Sequence, residues 1–250
     1  MALALCIFCG GGPTTDEDLF PDWINKEFGD LKGLFEWQAL PGDGGEGRSW
    51  KARKLASIRY RVVCGPCNNG WMSRQEEKVK PILVDFITGK ARKLTQQEQL
   101  ELGVWATIKA YVRDANTSLP VSDQQSRQTL MDHLMPAQNV RVFISTLKDH
   151  GTFGCWHHQV NLAEQKVGQP GDGFSFTIVL GHGVVQVIGR KDADFRWAHH
   201  PALMEAEVRS VIPPYPSGDI EWPTAGKLTK ETIDQFGREV LNVVDTVKSH

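Results

Sequence analysis

Two short stretches decide the fold of this chain: Cys6-Ile7-Phe8-Cys9 near its start and Cys64-Gly65-Pro66-Cys67 about a quarter of the way along. A Cys-x-x-Cys pair places two thiolates on one tight turn, and two such pairs offer four sulfur ligands in a tetrahedron. The 54 residues that separate the pairs exceed a simple zinc ribbon, so the loop that they close must itself contain structure. Two unrelated pairs or a thiol-redox motif are the alternatives, although neither pair is flanked by a βαβ pattern. The spacing predicts a closed, structural zinc site with the ligands Cys6, Cys9, Cys64 and Cys67.

The composition is that of an ordinary globular protein, with 250 residues of which 40% are hydrophobic and 23% charged. Five cysteines is an odd number, which argues against a closed disulfide framework, and Cys155 is expected to be a buried small hydrophobe in a strand. No apolar run approaches the roughly 20 residues that a membrane helix needs. The apolar start lacks the basic region and the cleavage site of a signal peptide. We therefore expect a cytoplasmic protein with no membrane partner.

Charge is unevenly distributed along the chain, although the net charge is only −2. Residues 41–94 contain twelve Lys or Arg against five Asp or Glu, whereas residues 1–40 contain two Lys against seven Asp or Glu. A basic segment next to an acidic one is compatible with phosphate binding beside a metal site. A solvated charged face is an equally good interpretation of the charges alone.

The N-terminal part of the chain has many turn signals and little sustained periodicity. The Gly-rich residues 41–47 are expected to form a mobile loop. Residues 58–63 alternate apolar and basic side chains, which predicts a half-buried strand with a basic face. Residues 69–86 predict a helix that Pro81 breaks or kinks.

The character of the sequence changes near Thr95, which suggests two domains, residues 1–94 and residues 95–250. Thr95-Gln-Gln-Glu98 is a capping box that opens a helix to about Ala115. Further patterns predict a shorter helix at 122–134 and a last helix at about 229–247. Between them they predict four strands, at 140–147, 153–162, 174–180 and 184–189. Gly181-His-Gly183 joins the last two strands as a hairpin turn. The second domain is thus predicted to be α+β with an antiparallel sheet.

Histidines in the second domain offer no convincing ligand set. Five of the eight histidines suggest a metal site at first sight, and these are His157-His158, His182 and His199-His200. Adjacent residues on a strand point to opposite faces, so neither pair presents two ligands to one ion. We expect no second metal site from these histidines.

Residues beside the cysteine pairs carry a further pattern. Thr15-Asp-Glu17-Asp18-Leu-Phe-Pro21-Asp-Trp-Ile24 follows the first pair, and Asn68-Asn69-Gly-Trp71-Met follows the second. Together with the cysteines they resemble the HNH endonuclease family over about the first third of the chain. The resemblance implies an N-terminal zinc-stapled ββα-metal domain, in which zinc holds a hairpin against a helix, followed by the α+β domain.

The resemblance also implies a catalytic site. Glu17 matches the acidic residue that holds a divalent cation, and Asn68, or Asn69 beside it, matches the helix ligand. Oxygen ligands of this kind suit Mg²⁺ or Mn²⁺, which assist phosphodiester hydrolysis. Where the family has its base histidine, this sequence has Asp18, and a carboxylate is a far weaker base than an imidazole near neutral pH. Three interpretations of Asp18 remain open. It is a second metal ligand, or the protein has lost cleavage and kept binding, or the aspartate is a deliberate inactivating change.

Three functions remain open from the sequence. The first is a metal-dependent endonuclease acting on DNA, with RNA not excluded and a homodimer as a further hypothesis. The second is a zinc-dependent nucleic-acid-binding or regulatory protein without catalysis. The third is a zinc-stapled module for protein interactions, which the mild net charge suggests. For the first two, candidate phosphate contacts are Lys51, Arg53, Lys54, Arg59 and Arg61, with a solvated face as the equal alternative.

Overall fold

The computed structural model of the chain describes residues 5–28, 36–39, 48–51, 58–148, 152–160, 172–191, 209–212, 218–229 and 232. Several predicted features lie outside these residues: the Gly-rich loop 41–47, His199-His200 and most of the last helix at 229–247. Within the described part of the chain, no helix has both the length and the apolar composition that crossing a membrane requires.

The N-terminal part is built on two small antiparallel ribbons. Strand β1 (Thr14–Asp18) pairs with β4 (Arg59–Cys64), so that Thr14 faces Cys64 and Asp18 faces Arg59, with an irregularity between Thr15 and Glu17. Between these strands the chain forms helix α1 (Asp22–Phe28) and the second ribbon, β2 (Glu36–Ala39) with β3 (Arg48–Lys51). The strand predicted at 58–63 is confirmed.

The helical segment after β4 is interrupted at a different residue from the predicted one. It runs through α2 (Gly65–Cys67), a π-helical turn (Asn68–Met72) and α3 (Ser73–Thr88). Helix α3 continues through Pro81, and the non-helical backbone lies at Gly70, with φ −100° and ψ −107°. A glycine tolerates such dihedrals, whereas the buried apolar face on both sides of Pro81 keeps α3 in place despite the lost hydrogen bond.

Two further helices follow the short strand β5 (Arg92–Leu94). Helix α4 (Gln96–Ala115) begins with the predicted capping box, since Thr95 Oγ1 accepts from the amide of Glu98 and the Glu98 side chain accepts from the amide of Thr95. Its residues from Leu102 to Val112 are all buried, so α4 is a central helix covered on every side. Helix α5 (Gln124–His133) agrees with the prediction at 122–134.

The large sheet contains six strands in the described part of the chain. Their bounds are β6 (Val140–Leu147), β7 (Thr152–Val160), β8 (Gly173–Gly181), β9 (Gly183–Arg190), β10 (Arg209–Ile212) and β12 (Lys227–Leu228). The antiparallel order is β10-β6-β9-β8-β7, and β12 pairs in parallel with β6. The remaining strand, β11 (Ile220–Trp222), pairs with β5. The α+β class with antiparallel sheets and the turn at Gly181–Gly183 are confirmed.

One continuous core connects these elements. Buried side chains of the cysteine turns contact those of α3 and α4, and these in turn cover the sheet at residues such as Phe174 and Phe176. The core therefore contains residues from both sides of position 94, where the sequence predicts a domain boundary. That boundary stays a prediction. For the candidate site, the consequence is that α4 packs against the N-terminal ribbon and can supply a side chain to it.

Candidate metal centre and the acidic cavity beside it

The two cysteine pairs meet in space. The Sγ atoms of the four cysteines lie within 4.8 Å of one another, and those of Cys9 and Cys64 are 3.5 Å apart. All four are free thiols. Zinc bound to four sulfurs at about 2.3 Å places those sulfurs roughly 3.8 Å from each other, so this cluster could hold a metal ion such as zinc. The predicted grouping of Cys6, Cys9, Cys64 and Cys67 is confirmed.

Local backbone geometry presents the first pair. The amide of Gly10 donates to the carbonyl of Cys6, and Gly10 adopts a φ of 72° that favours glycine. The amide of Gly11 points at Cys9 Sγ, 3.4 Å away, and the amide of Ile7 donates to the carbonyl of Val62 on β4. The first cysteine turn is thereby docked onto the strand that leads into the second turn.

The electrostatic surroundings of the thiols differ. Burial opposes the ionisation of Cys6, but hydrogen bonds from backbone amides, including that of Cys9, lower its pKa to about 7. Burial instead raises the pKa of the Cys64 and Cys67 thiols. Cysteine binds a metal as the thiolate, so metal binding at this cluster must release protons from these buried thiols. Burial raises the pKa of Cys155 to about 12, as expected for an inert thiol packed as a small hydrophobe.

A cavity of about 290 Å³ opens beside the cysteine cluster, between β1, the π-helical turn, α3 and α4. All four residues predicted to be catalytic line it: Glu17, Asp18, Asn68 and Asn69. Three further carboxylates line it as well: Asp16, Asp22 and Glu76. Outside the four cysteines, no group of three or more His, Cys, Asp or Glu side chains among the described residues is close enough to hold an ion. The cavity is acidic, but its carboxylates do not converge on one point.

Asn68 is oriented by the strand opposite. Its Nδ2 donates to the backbone carbonyl of Asp16 at 3.1 Å and lies 3.5 Å from Thr15 Oγ1. With the amide nitrogen held by β1, Oδ1 is the amide atom that remains for a ligand in the cavity. Asn69 also lines the cavity but is more exposed than Asn68.

A buried lysine, which the sequence analysis did not single out, reaches the same cavity from α4. The side chain of Lys109 is 2% exposed, and its Nζ donates to Glu17 Oε1 at 2.7 Å and to the backbone carbonyl of Asp18 at 2.9 Å. Glu76 Oε2 on α3 lies 3.5 Å from the same nitrogen. Burial lowers the pKa of Lys109, but the charges of Glu17 and Glu76 outweigh that effect and raise it, so the amine is protonated at neutral pH.

The sequence contained a signal for Lys109. Around it the helix is apolar on all sides, from Val104 to Val112 apart from Thr107, which is typical of a fully buried helix. A lysine in such a helix needs a buried partner, because an unpaired ammonium in a core is costly. The identity of the partner depends on tertiary packing, since Glu17 lies 92 residues away in the sequence.

The predicted phosphate contacts on β4 are paired with cavity carboxylates. Arg59 Nε lies 2.6 Å from Asp18 Oδ1, and Arg61 Nε lies 3.0 Å from Asp16 Oδ1. Both arginines are more than half exposed, so these pairs are open to solvent. The side chain of Lys51 and the whole of Arg53 and Lys54 lie outside the described residues. The role of all five basic residues in binding phosphate stays a prediction.

His157 makes the contacts of a buried core residue. This side chain is 4% exposed, its ring stacks on Phe174, and its Nε2 lies 3.4 Å from Asp114 Oδ1. Asp114 also accepts hydrogen bonds from the amides of Val121 and Ser122. Within the described residues, His157 belongs to no group that could hold a metal, and its contacts are those of a core residue.

No family model matches this chain, and neither the curated proteins nor the solved structures contain a match. The resemblance to HNH endonucleases accordingly rests on the motif residues quoted above. A functional interpretation has to be argued from the cysteine cluster, the cavity and the side chains that line it.

Proposed function

We propose that this chain is a metal-dependent endonuclease of the HNH type, which hydrolyses DNA phosphodiester bonds in the cavity beside the cysteine cluster. A single observation carries the proposal. Glu17 and Asp18 at the end of β1 and Asn68 after the second cysteine pair are about 50 residues apart in sequence, yet they line the same cavity. The pairing of β1 with β4 brings these three side chains to one cavity, which is the arrangement that the HNH resemblance implies.

The cysteine cluster has a structural role in this proposal. It joins the turn before β1 to the turn after β4. Strand β1 contains Glu17 and Asp18, and β4 leads through the second cysteine turn to Asn68. Zinc with four sulfur ligands has no open coordination position, so it does not bind substrate. Its contribution is to fix the end of β1 against the segment that begins at Asn68.

In this proposal, oxygen atoms of Glu17 and Asn68 would hold a hard divalent cation. Glu17 uses Oε1 for Lys109, and Oε2 has no hydrogen-bond partner among the described residues. Asn68 offers Oδ1, because its nitrogen is held by β1. Carboxylate and amide oxygens are ligands that Mg²⁺ and Mn²⁺ accept. A cation bound there would polarise the phosphodiester and stabilise its developing negative charge.

Asp18 determines how fast the proposed reaction can be. Arg59 holds Oδ1 of this carboxylate, which orients the side chain along the wall of the cavity. Its remaining oxygen can accept a proton from water, but a carboxylate does so weakly at neutral pH. We therefore expect slow turnover from this chain.

Nicking of supercoiled plasmid tests the proposal. The zinc-loaded protein is incubated with Mn²⁺ or Mg²⁺ and compared with Asp18→His, which restores an imidazole, and with Asp18→Asn, which keeps the size but has no base. We expect Asp18→His to nick on the order of 10² to 10⁴ times faster than Asp18→Asn. Nicking by the unsubstituted protein no faster than by Asp18→Asn would contradict the proposal that this chain is itself a nuclease, even if Asp18→His nicks.

Binding without cleavage is a second candidate, and two observations favour it. The Lys109 ammonium already neutralises Glu17, and the residue at the base position is an aspartate. A protein with this function would retain DNA on a filter with a steep dependence on salt, because phosphate contacts release counterions. Retention by both the unsubstituted protein and Asp18→His, without nicking by either, would support this candidate. The absence of both retention and nicking would favour a module for protein interactions.

A further inference from the structure

The ammonium of Lys109 is enclosed by three acceptors from two other elements. β1 supplies the Glu17 carboxylate and the carbonyl of Asp18, and α3 supplies Glu76. Nζ donates to the two β1 oxygens at 2.7 and 2.9 Å, and Glu76 Oε2 forms an ion pair with the same nitrogen at 3.5 Å. Because the side chain is almost completely buried, little water screens its charge.

A divalent cation at Glu17 would have to share that carboxylate with Lys109. Its ligand atom and the oxygen that accepts from Nζ belong to the same group, so the two positive charges would be only a carboxylate width apart. Like charges at such a distance repel each other strongly in a poorly solvated site. The carboxylates of Glu17 and Glu76 can balance two positive charges, and Lys109 already supplies one of them.

We propose that Lys109 is a resident cation of the cavity that competes with the divalent ion for Glu17, so that the site takes up metal only at high metal concentration. This inference rests on the proposed function in one respect, which is that Glu17 is the metal ligand. Lys109 does not touch the reacting atoms. It acts through Glu17, holding the carboxylate in position and limiting the positive charge that the cavity accepts.

Manganese binding to the zinc-loaded full chain tests this inference directly. Isothermal titration with MnCl₂ compares the unsubstituted protein with Lys109→Met, which keeps the length of the side chain and removes its charge. We expect Lys109→Met to bind Mn²⁺ at least tenfold more tightly. Zinc remains on the four sulfurs, because Mn²⁺ is the weaker competitor for such ligands. Equal or weaker binding of Mn²⁺ by Lys109→Met would overturn the proposal.

Two double variants with matched charge test the proposal if Lys109→Met alone does not fold. Lys109→Met/Glu76→Gln and Lys109→Met/Glu17→Gln each remove one positive and one negative charge from the same cluster. The first keeps Glu17, and we expect it to bind Mn²⁺ more tightly than the unsubstituted protein. The second lacks the Glu17 carboxylate, so its Mn²⁺ affinity should not exceed that of the unsubstituted protein. Equal Mn²⁺ affinities of the two double variants would overturn the proposal even if Lys109→Met does not fold.

The outcome separates this inference from the proposed function. Tighter Mn²⁺ binding by Lys109→Met, together with no nicking by any variant, would uphold the resident cation and reject the nuclease. Nicking by the unsubstituted protein, together with unchanged Mn²⁺ affinity on removing Lys109, would uphold the nuclease and reject the resident cation. The readout is a binding constant, so it does not depend on turnover.

Discussion

Lys109 Nζ lies 2.7 Å from Glu17 Oε1, which ties the central helix α4 to the end of strand β1 across 92 residues of sequence. Both side chains are at least nine-tenths buried. The pair therefore positions the acidic cavity relative to the core of the protein. It also makes the cavity sensitive to changes on α4, a helix that contains none of the motif residues.

Removing the charge of Lys109 should destabilise the protein. Lys109→Met leaves Glu17 buried without its partner, and breaking a buried ion pair in this way costs about 3 kcal/mol or more. Urea unfolding of the zinc-loaded protein at pH 7.5 without added Mn²⁺ measures the difference. Arg61→Met is the matched control, because it breaks the solvent-exposed pair with Asp16 and should change the free energy of unfolding much less. Similar losses of unfolding free energy in the two variants would contradict a larger contribution of the buried pair to stability.

Zinc content should depend on the clustered cysteines and not on the fifth one. We expect one zinc ion per chain, and Cys67→Ser should weaken its binding by more than the roughly 10–100-fold that the loss of a supporting residue costs. Cys155→Ser is the control, since Cys155 is a partly buried thiol on β7 outside the cluster. Metal analysis after dialysis against a chelator gives the readout. Equal zinc retention by the two variants would be incompatible with the site.

Asn68 and Asn69 should differ in their importance for cleavage. Asn68 is held by the carbonyl of Asp16 and presents its oxygen to the cavity, whereas Asn69 is more exposed. In the Asp18→His background, Asn68→Ala should lower the Mn²⁺-dependent nicking rate at least on the order of tenfold. Asn69→Ala should leave the rate within about twofold, because no metal ligand is lost. A larger loss from Asn69→Ala would assign the ligand to Asn69 instead.

Acidification should destabilise the protein through His157. Burial lowers the pKa of His157 below the ordinary 6.5, although the hydrogen bond to Asp114 opposes the shift. As the pH falls through about 6.5, the unfolded chain binds a proton at this histidine more readily than the native protein does. The free energy of unfolding therefore decreases. The loss from this residue is at most about 1.4 kcal/mol per pH unit. Urea unfolding at pH 7.5 and 5.5 should show a smaller loss for His157→Phe than for the unsubstituted protein, and equal losses would contradict this origin.

The sequence predicted those elements whose signals are local. The capping box at Thr95 specifies the start of α4, because both of its hydrogen bonds form within four residues. The strands near 140–147 and 184–189 follow from short runs rich in Val and Ile that are bounded by turn residues. The cysteine cluster followed from ligand chemistry, since two Cys-x-x-Cys turns have few other uses in one small protein.

Features that depend on tertiary packing could not be predicted in the same way. Pro81 has a strong local preference to end a helix, but burial of the residues around it overrides that preference. Arg59 pairs with Asp18 because the register of β1 and β4 places them opposite each other, and no local pattern encodes that register. The most consequential example is Lys109, whose partners come from β1 and α3.

Whether the acidic cavity is the site of cleavage is decided by the effect of Glu17→Gln on Mn²⁺-dependent nicking in the Asp18→His background. The substitution preserves the shape of the side chain and removes the charge that would hold the cation. If Glu17 is the metal ligand of a nuclease site, the nicking rate should fall on the order of 10² or more, while zinc content stays at one ion per chain. An unchanged nicking rate in Asp18→His/Glu17→Gln would contradict the proposed role of Glu17 as metal ligand, and the cavity would then not be the site of cleavage.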